Sequence, residues 1–456
     1  MIPIPDHLQN SQPAEFSAGQ RSQALFERAC SVFPDGTTRV TIDRDPAPRY
    51  VLRGEGAYVV DVDGRRFLDL NANFTTLIHG HAFEPVIAAV ERQMRNGSCF
   101  ANPTEAEVEL ASLLCERVPR LERIRFVNTG TEAVMFAVKA ARAFTGRTCI
   151  AKIEGAYHGA YDWAEVAQAS TPENWGPPDQ PAATPYYHGV PASVLDEVVV
   201  LRFNDPMGAR ELLSRRAGEI AAILIDPMPS RAGLVAPEPE FLSALQETAR
   251  KHGILVISDE VLNFRQDYCG ASARYGLEPD LFALGKIIGG GFPIGAVGGS
   301  GEIMAVFDAC RGRPLLSQGG TFSANPISMV AGYAAMASLD QAAFARLETL
   351  GSNLCKLLVS AISRANAPLS ITGAASLFRI HPKPTPPREF REAYCSSAEA
   401  NFNKQLSRFF ARHGIILPSG AAACLSTPMG EPEINAIASV FEAFLAQHSG
   451  LLEEIV

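Results

Sequence analysis

Short apolar runs and helix-spaced segments take turns along the middle of this chain. From Ile124 on, "RIRFVN" reads as a strand and "TEAVMFAVKAARAF" as a helix, with apolar residues recurring at helical spacing. "TCIAKI" and "DEVVVLRF" read as strands, "GARELLSRRAG" as a helix, "IAAILID" as a strand, "PEFLSALQETARKHG" as a helix and "ILVISDE" as a strand. "LFAL" and "PIGAVGG" close the series. The strands are apolar throughout and do not alternate with polar residues. That pattern predicts an α/β fold, with a mostly parallel sheet covered by helices on both faces.

The flanks follow other rhythms. The first residues are polar and read as irregular, and a helix is predicted over Gly19 to Val32. "GAYVVDVDGRRFLDL" alternates around Asp63-Gly64, a hairpin signal. "PVIAAVERQMRNG" has helical spacing, with glycine just past its end. The stretch from Ser170 to Val194, rich in proline and tyrosine, reads as an inserted surface loop. After Pro326 the pattern predicts helices through Ser363, a strand in "ITGAASLFRIH", a helix from Cys395 to His413, a strand in "GIILP" and a closing helix. The expected division is an N-terminal segment, 1–75, packing with a small α+β domain, 336–456, around a large α/β domain, 76–335.

Composition narrows the function. A chain of 456 residues is long enough for a large core plus a satellite. Its formal net charge of -9, with no basic run, leaves no electrostatic footprint for nucleic acid. The N-terminus lacks the basic and apolar regions of a secretory signal. No apolar stretch reaches the roughly 18–20 residues of a membrane helix. The expectation is a cytoplasmic protein that binds neither membrane nor nucleic acid. The cysteines run from Cys30 to Cys424 without a CxxC pair, so they read mostly as small buried hydrophobes. His79 and His81 have no acidic or cysteine cluster beside them, and no metal site is expected.

In open α/β sheets, ligands bind outside the carboxyl ends of the strands. Four predicted ends carry chemistry. Asn128-Thr129-Gly130-Thr131 runs straight into a helix, where free N–H groups and the dipole favour an anion; a plain N-cap by Thr129 or Thr131 explains the same residues. "EGAYHG" sets an aromatic ring between glycines, suited to stacking on a planar ligand or to the core. "ILVIS" ends in Asp259-Glu260, either solvated or paired with a cationic ring nitrogen, since burying a lone carboxylate is expensive. "LFAL" ends in Gly285-Lys286. An amine in apolar surroundings has a lowered pKa and becomes a nucleophile toward carbonyls. Phosphate seat, stacking ring, carboxylate and amine together describe a pyridoxal phosphate site. A nicotinamide site fails, because the glycines of "GGGFPIG" precede a strand and do not open a helix.

The ordered set "NTGTEA", "GAYHG", "SDEV", "ALGKIIGGGFPIGAVGG" and "GGTFSANP" resembles the class III pyridoxal-phosphate aminotransferases of fold type I, over nearly the whole chain. The resemblance implies a large domain with a mostly parallel seven-stranded sheet and a smaller α+β C-terminal domain. It implies pyridoxal 5'-phosphate as cofactor, with Lys286 as its Schiff-base lysine and proton shuttle. Asp259 would bond the pyridine nitrogen, Val261 would pack under the ring and Tyr157 over it. Gly130 and Thr131 would bind the phosphate. Thr321 would reach the phosphate of a neighbouring subunit, so a homodimer with sites at the subunit interface is implied. His158 is expected near the ring edge, and Glu132 near the site.

Within that class the N-terminal third most resembles glutamate-1-semialdehyde aminomutases and β-amino-acid aminotransferases. "FPDGTTRV" makes Arg39 the candidate grip for a substrate carboxylate, since a guanidinium fork suits that task. Phe74 occupies an aromatic pocket position. Ala422 stands where the aminomutases carry a glutamate, and Gly420 where β-amino-acid aminotransferases can place an arginine. Asp226 replaces a glutamate of many relatives, and Arg231 is expected to face solvent. The favoured reading is ping-pong transamination between an amino donor, a β-amino acid or other carboxylate-bearing amine, and a keto or aldehyde acceptor. The alternatives are a 2,1-aminomutase, with the 170–194 insertion as a lid, and a non-catalytic regulator on the same fold. The regulator would need a DNA-binding module for which the first thirty-odd residues are too short.

Overall fold

Seven strands form the central sheet, and the strand Gly295–Gly299 runs against both its neighbours while the rest run parallel. Across the sheet the order is Arg123–Val127, Gly295–Gly299, Leu281–Gly285, Leu255–Asp259, Ile220–Ile225, Cys149–Ile153, Val198–Leu201. The protein is described by a computed structural model covering residues 19–310 and 312–455, so the polar N-terminal stretch read as irregular lies outside the described residues up to residue 18.

The sheet explains the unbroken apolar runs. All of Ile220–Ile225 is buried. Ile223 and Ile225 pack into one apolar cluster, while Ala222 and Leu224 pack into another on the opposite face. Full burial of such a large aliphatic side chain contributes about 1.5–3 kcal/mol, so both faces must be apolar and both must be covered. Helix Gly130–Thr145 covers one face through Ala133, Val134, Ala137 and Val138, and helix Pro239–His252 covers the other through Phe241, Leu242 and Leu245.

The N-terminal hairpin is present, with Tyr58–Asp61 antiparallel to Arg66–Asp69. Asp61 Oδ1 closes its turn by accepting the N–H groups of Asp63 at 3.0 Å and Arg65 at 2.8 Å. "GIILP" contributes only Ile415–Ile416, which runs parallel to Arg66–Asp69 and so ties the N-terminal segment to the C-terminal third.

The single strand expected in "ITGAASLFRIH" is two: Ser370–Ala374 pairs antiparallel with Leu377–His381, which also pairs with Ala423–Cys424. The turn holds Ala375 at φ 52 with no glycine or asparagine to mark it, and its carbonyl lies against Gly351, where there is no side chain. Strand Val51–Glu55 and helix Glu105–Arg117 also escaped the sequence pattern; the strand is largely exposed and has no apolar face.

The 170–194 insertion is not wholly a surface loop. Ser170 and Thr184 are buried and bonded to each other at 2.8 Å. Arg391 grips the carbonyls of Trp175 at 2.8 Å and Gly176 at 2.9 Å and pairs with buried Glu154 at 2.7 Å, so the insertion is strapped to the C-terminal third. The cysteines also differ from expectation: Cys149 and Cys424 are buried, while Cys30, Cys99 and Cys310, on loops and helix ends, are exposed. Among the described residues no helix is long and apolar enough to cross a membrane, and no cluster of His, Cys, Asp or Glu could hold a metal.

Candidate active site

Three neighbouring strands end in Asp226, Asp259 and Lys286. The sheet register aligns them, with Ile225 beside Ser258 and Asp259 beside Ala283. Lys286 leaves its strand in the left-handed region, at φ 50, and opens a 3-10 turn to Gly289. A lysine held there is strained, which is a feature of functional sites. Desolvation pulls its pKa below the ordinary amine value, the charges of Asp259 and Asp226 act against that, and the Arg265 cation adds to the depression. The amine is therefore more readily unprotonated, as a nucleophile must be. Burial and the nearby Asp259 charge push the Asp226 carboxyl well above its ordinary value. Asp226 Oδ1 accepts from the Met228 N–H at 2.9 Å and from Asn263 Nδ2.

Asp259 is held on both oxygens. Oδ1 accepts the Val261 N–H at 3.0 Å, and Oδ2 accepts from His158 Nδ1 at 2.7 Å. Burial lowers the His158 pKa, and the Asp259 contact opposes the change. A neutral imidazole that donates through Nδ1 leaves Nε2 an acceptor, and this atom is buried without a partner among the described residues. His158 is thus assigned a partner that the sequence did not reveal.

The turn into helix Gly130–Thr145 is both an N-cap and an open seat. Thr129 Oγ1 caps the Glu132 N–H at 3.1 Å, and Glu132 returns its carboxylate to the Asn128 N–H at 2.7 Å. Among the described residues no acceptor meets the N–H groups of Gly130 and Thr131. Thr131 Oγ1 accepts the Ala160 N–H at 3.2 Å and so ties the helix to the Tyr157–Ala160 loop. Two glycines make these approaches possible. A Cβ on Gly130 would lie 2.7 Å from Val261 Cγ1, and one on Gly159 would lie 2.3 Å from Thr131 Oγ1. Val261 therefore lies directly against the helix start and against Gly285, the residue before Lys286.

Tyr157 is half exposed, and the Arg231 guanidinium stands 5.0 Å from its ring centre. Arg231 was expected simply to face solvent. It is exposed, but it also lies on the ring, an attraction a cation and an aromatic face supply. Arg39 donates to Asn73 Oδ1 at 2.9 Å and sits 5.6 Å from the Phe74 ring centre, so two residues far apart in sequence form one unit. Ala422 is buried in an apolar cluster with Ala72, Met228, Leu234 and Cys424. Thr321 is exposed beside a cavity of about 510 Å³ lined by Phe100, Asn102 and Asn325, and among the described residues no hydrogen bond ties it to the seat at Gly130. Arg265, which sequence reasoning passed over, is fully buried next to this set.

Open N–H groups at a helix start, a carboxylate with donors on both oxygens and a desolvated lysine fit a phosphorylated pyridine aldehyde. Fold and site define a pyridoxal-phosphate-dependent enzyme of fold type I, with pyridoxal 5'-phosphate as its cofactor. Residues 41–429 match the family described as aminotransferase class-III, and the chain belongs to that family. It is 38% identical over 439 residues to the glutamate-1-semialdehyde 2,1-aminomutase of Desulforudis audaxviator, covering 94% of this chain and 99% of the relative. An omega-transaminase from Sphaerobacter thermophilus superimposes with a TM-score of 0.91 at 48% identity, covering 94% of this chain and 98% of that one. A β-phenylalanine aminotransferase from Variovorax paradoxus superimposes with a TM-score of 0.85 at 30% identity, covering 99% of each chain.

Proposed function

We propose that this aminotransferase moves an amino group from a β-amino acid, or another carboxylate-bearing amine, to a separate keto or aldehyde acceptor. The observation that carries this reading is Ala422, a small side chain buried among apolar neighbours where an aminomutase would need a charged contact. A carboxylate there would have to be desolvated among apolar neighbours, which is costly. Likeness to the omega-transaminase and the β-phenylalanine aminotransferase supports the same reading. Likeness to curated aminomutases keeps intramolecular transfer as the second reading.

The bound cofactor supplies an electron sink and a carbonyl carbon. The chain's residues do the rest. Lys286, whose buried amine is more readily unprotonated, would hold the cofactor and would move the proton at the substrate carbon, as base and then acid. Asp259, oriented by His158 and Val261, would partner the pyridine nitrogen. Val261 and Tyr157 would hold the ring. The Gly130 and Thr131 N–H groups hold the phosphate, and Arg39 grips the substrate carboxylate with Phe74 walling the pocket. We further propose a cytoplasmic homodimer in which Thr321 reaches the partner's phosphate seat. The exposure of Phe322 at 60% and Phe100 at 47% beside Thr321 supports a covered face there.

The test titrates the holoenzyme with α-amino acids, β-amino acids and simple amines, following the visible spectrum and the released products by mass spectrometry. A keto product free in solution, lost in Lys286→Ala, is the expected result. An isomer as the only net product, formed from glutamate 1-semialdehyde or 4,5-diaminovalerate alone, would establish the aminomutase instead.

A further inference from the structure

We propose that Arg265 is a positioning residue: it pins a strained left-handed turn, Ala72–Thr75, at the site and fixes a positive charge beside Lys286. The inference rests on Lys286 being the cofactor lysine.

The turn is unusual in its backbone. Ala72, Asn73, Phe74 and Thr75 have φ of 45, 52, 54 and 72 in succession, and none is glycine. Asparagine enters that region readily, but alanine, phenylalanine and threonine are disfavoured there. Such a run persists only where its surroundings over-determine it. The entry is fixed by Asp69 Oδ1, which accepts the N–H groups of Asn71 at 2.9 Å and Ala72 at 3.1 Å. Asn71 Oδ1 then accepts the Phe74 N–H at 2.6 Å. The exit is fixed by Arg265, whose Nη1 donates to the Thr75 carbonyl at 2.8 Å.

The remaining arms of the same guanidinium reach the C-terminal third. Nε donates to Ser376 Oγ at 3.0 Å and Nη2 to the Leu425 carbonyl at 2.5 Å. Arg265 itself belongs to the 3-10 turn Asn263–Gln266, a few residues after Asp259 and Val261. One buried cation thus joins the site's central strand, the N-terminal turn and the C-terminal third through three neutral acceptors. A buried charge without a carboxylate partner stabilises little by itself, and an apolar side chain would pack there at lower cost. What the guanidinium supplies is direction, because its planar fork meets three acceptors that a lysine could not reach together.

The consequence is placement. The turn presents Asn73 and Phe74, which hold Arg39 by a hydrogen bond of 2.9 Å and a ring contact at 5.6 Å. Arg265 also acts on the Lys286 amine through charge. One residue therefore steadies the turn that carries Asn73 and Phe74 and adds a like charge to the surroundings of the Lys286 amine.

The experiment compares wild-type holoenzyme with Arg265→Lys and Arg265→Met. It reads the pH midpoint of the visible band of the lysine-bound cofactor, KM and kcat separately, and hydrogen exchange of amides 73–77. Arg265→Lys keeps the charge and loses the fork. Its spectral midpoint should stay in place, the 73–77 amides should exchange faster, and KM for carboxylate substrates should rise about ten- to hundredfold with a smaller change in kcat. Arg265→Met should in addition move the midpoint alkaline, since a like charge beside the protonated nitrogen is gone. Should Arg265→Met fail to fold, Ser376→Ala removes one arm only and should give the same KM-weighted change at smaller size. Wild-type KM and exchange in Arg265→Lys would overturn the positioning role, and an unmoved midpoint in folded Arg265→Met would overturn the electrostatic one. A wild type without a lysine-bound cofactor band would instead overturn the Lys286 reading itself.

Discussion

His158 Nδ1 lies 2.7 Å from Asp259 Oδ2, and both side chains are buried. The carboxylate proposed to face the cofactor's ring nitrogen is therefore oriented from behind by an imidazole whose burial favours its neutral form. Removing the ring while keeping its bulk, in His158→Phe, leaves Oδ2 without its donor. A hydrogen bond to a charged group contributes about 1.5–3 kcal/mol, so kcat should fall roughly ten- to hundredfold. KM should change less, because His158 touches Asp259 and not the substrate. Steady-state kinetics of the holoenzyme check this, and an unchanged kcat would show that the Val261 N–H alone suffices to hold the carboxylate.

Gly130 is predicted to tolerate no side chain. A methyl there would approach Val261 Cγ1 to 2.7 Å, at the helix start proposed to seat the cofactor's phosphate. Overpacking of this kind costs about 1–3 kcal/mol. Gly130→Ala should therefore weaken cofactor retention by about tenfold or more, measured by equilibrium dialysis against pyridoxal 5'-phosphate. Val261→Ala in the same chain opens the space again, and the double variant should retain cofactor better than Gly130→Ala alone. Additive losses would mean that the clash is not what Gly130 avoids.

The meeting of the strand ends was legible because sequence order and spatial order coincide there. An apolar run stops, a polar residue follows, and the parallel sheet brings Asp259 and Lys286 to one edge. The Ala72–Thr75 turn was not legible, since a left-handed run is normally announced by glycine and this one is imposed by Asp69, Asn71 and Arg265 from outside. The Ala375 turn was hidden for the same reason. Arg265 carried no signal either: in "NFRQ" a buried arginine looks like any surface one, and only its three carbonyl and hydroxyl partners, far away in sequence, mark it.

Arg39 separates substrate classes. It is exposed, it is steadied by Asn73 at 2.9 Å, and its fork points from the segment that "FPDGTTRV" contributes. Arg39→Ala should raise KM for carboxylate-bearing amines by about tenfold or more and leave simple amines nearly unchanged, because only the first group has an anion to grip. Asn73→Ala, which leaves the cation but not its rest, should fall between. Equal changes for both substrate classes would remove Arg39 from the carboxylate site.

Asp226 makes stability depend on pH in the direction opposite to an ordinary ion-paired carboxylate. Burial, and then the Asp259 charge, raise its pKa well above the ordinary 3.8. The folded chain keeps a proton that the unfolded chain has already released, so the contribution is complete below 3.8 and is lost as pH rises through the folded value. Asp226→Asn removes the titration, and its amide oxygen can still accept the Met228 N–H that Oδ1 now takes at 2.9 Å. In cofactor-free protein, Tm should fall less steeply as pH rises above 3.8 in Asp226→Asn than in wild type, and the variant should be the more stable of the two at the alkaline end. Parallel Tm profiles would mean that Asp226 is ionised in the folded state across that range. The site would then hold two negative carboxylates beside Lys286, favouring the charged amine and opposing its role as nucleophile.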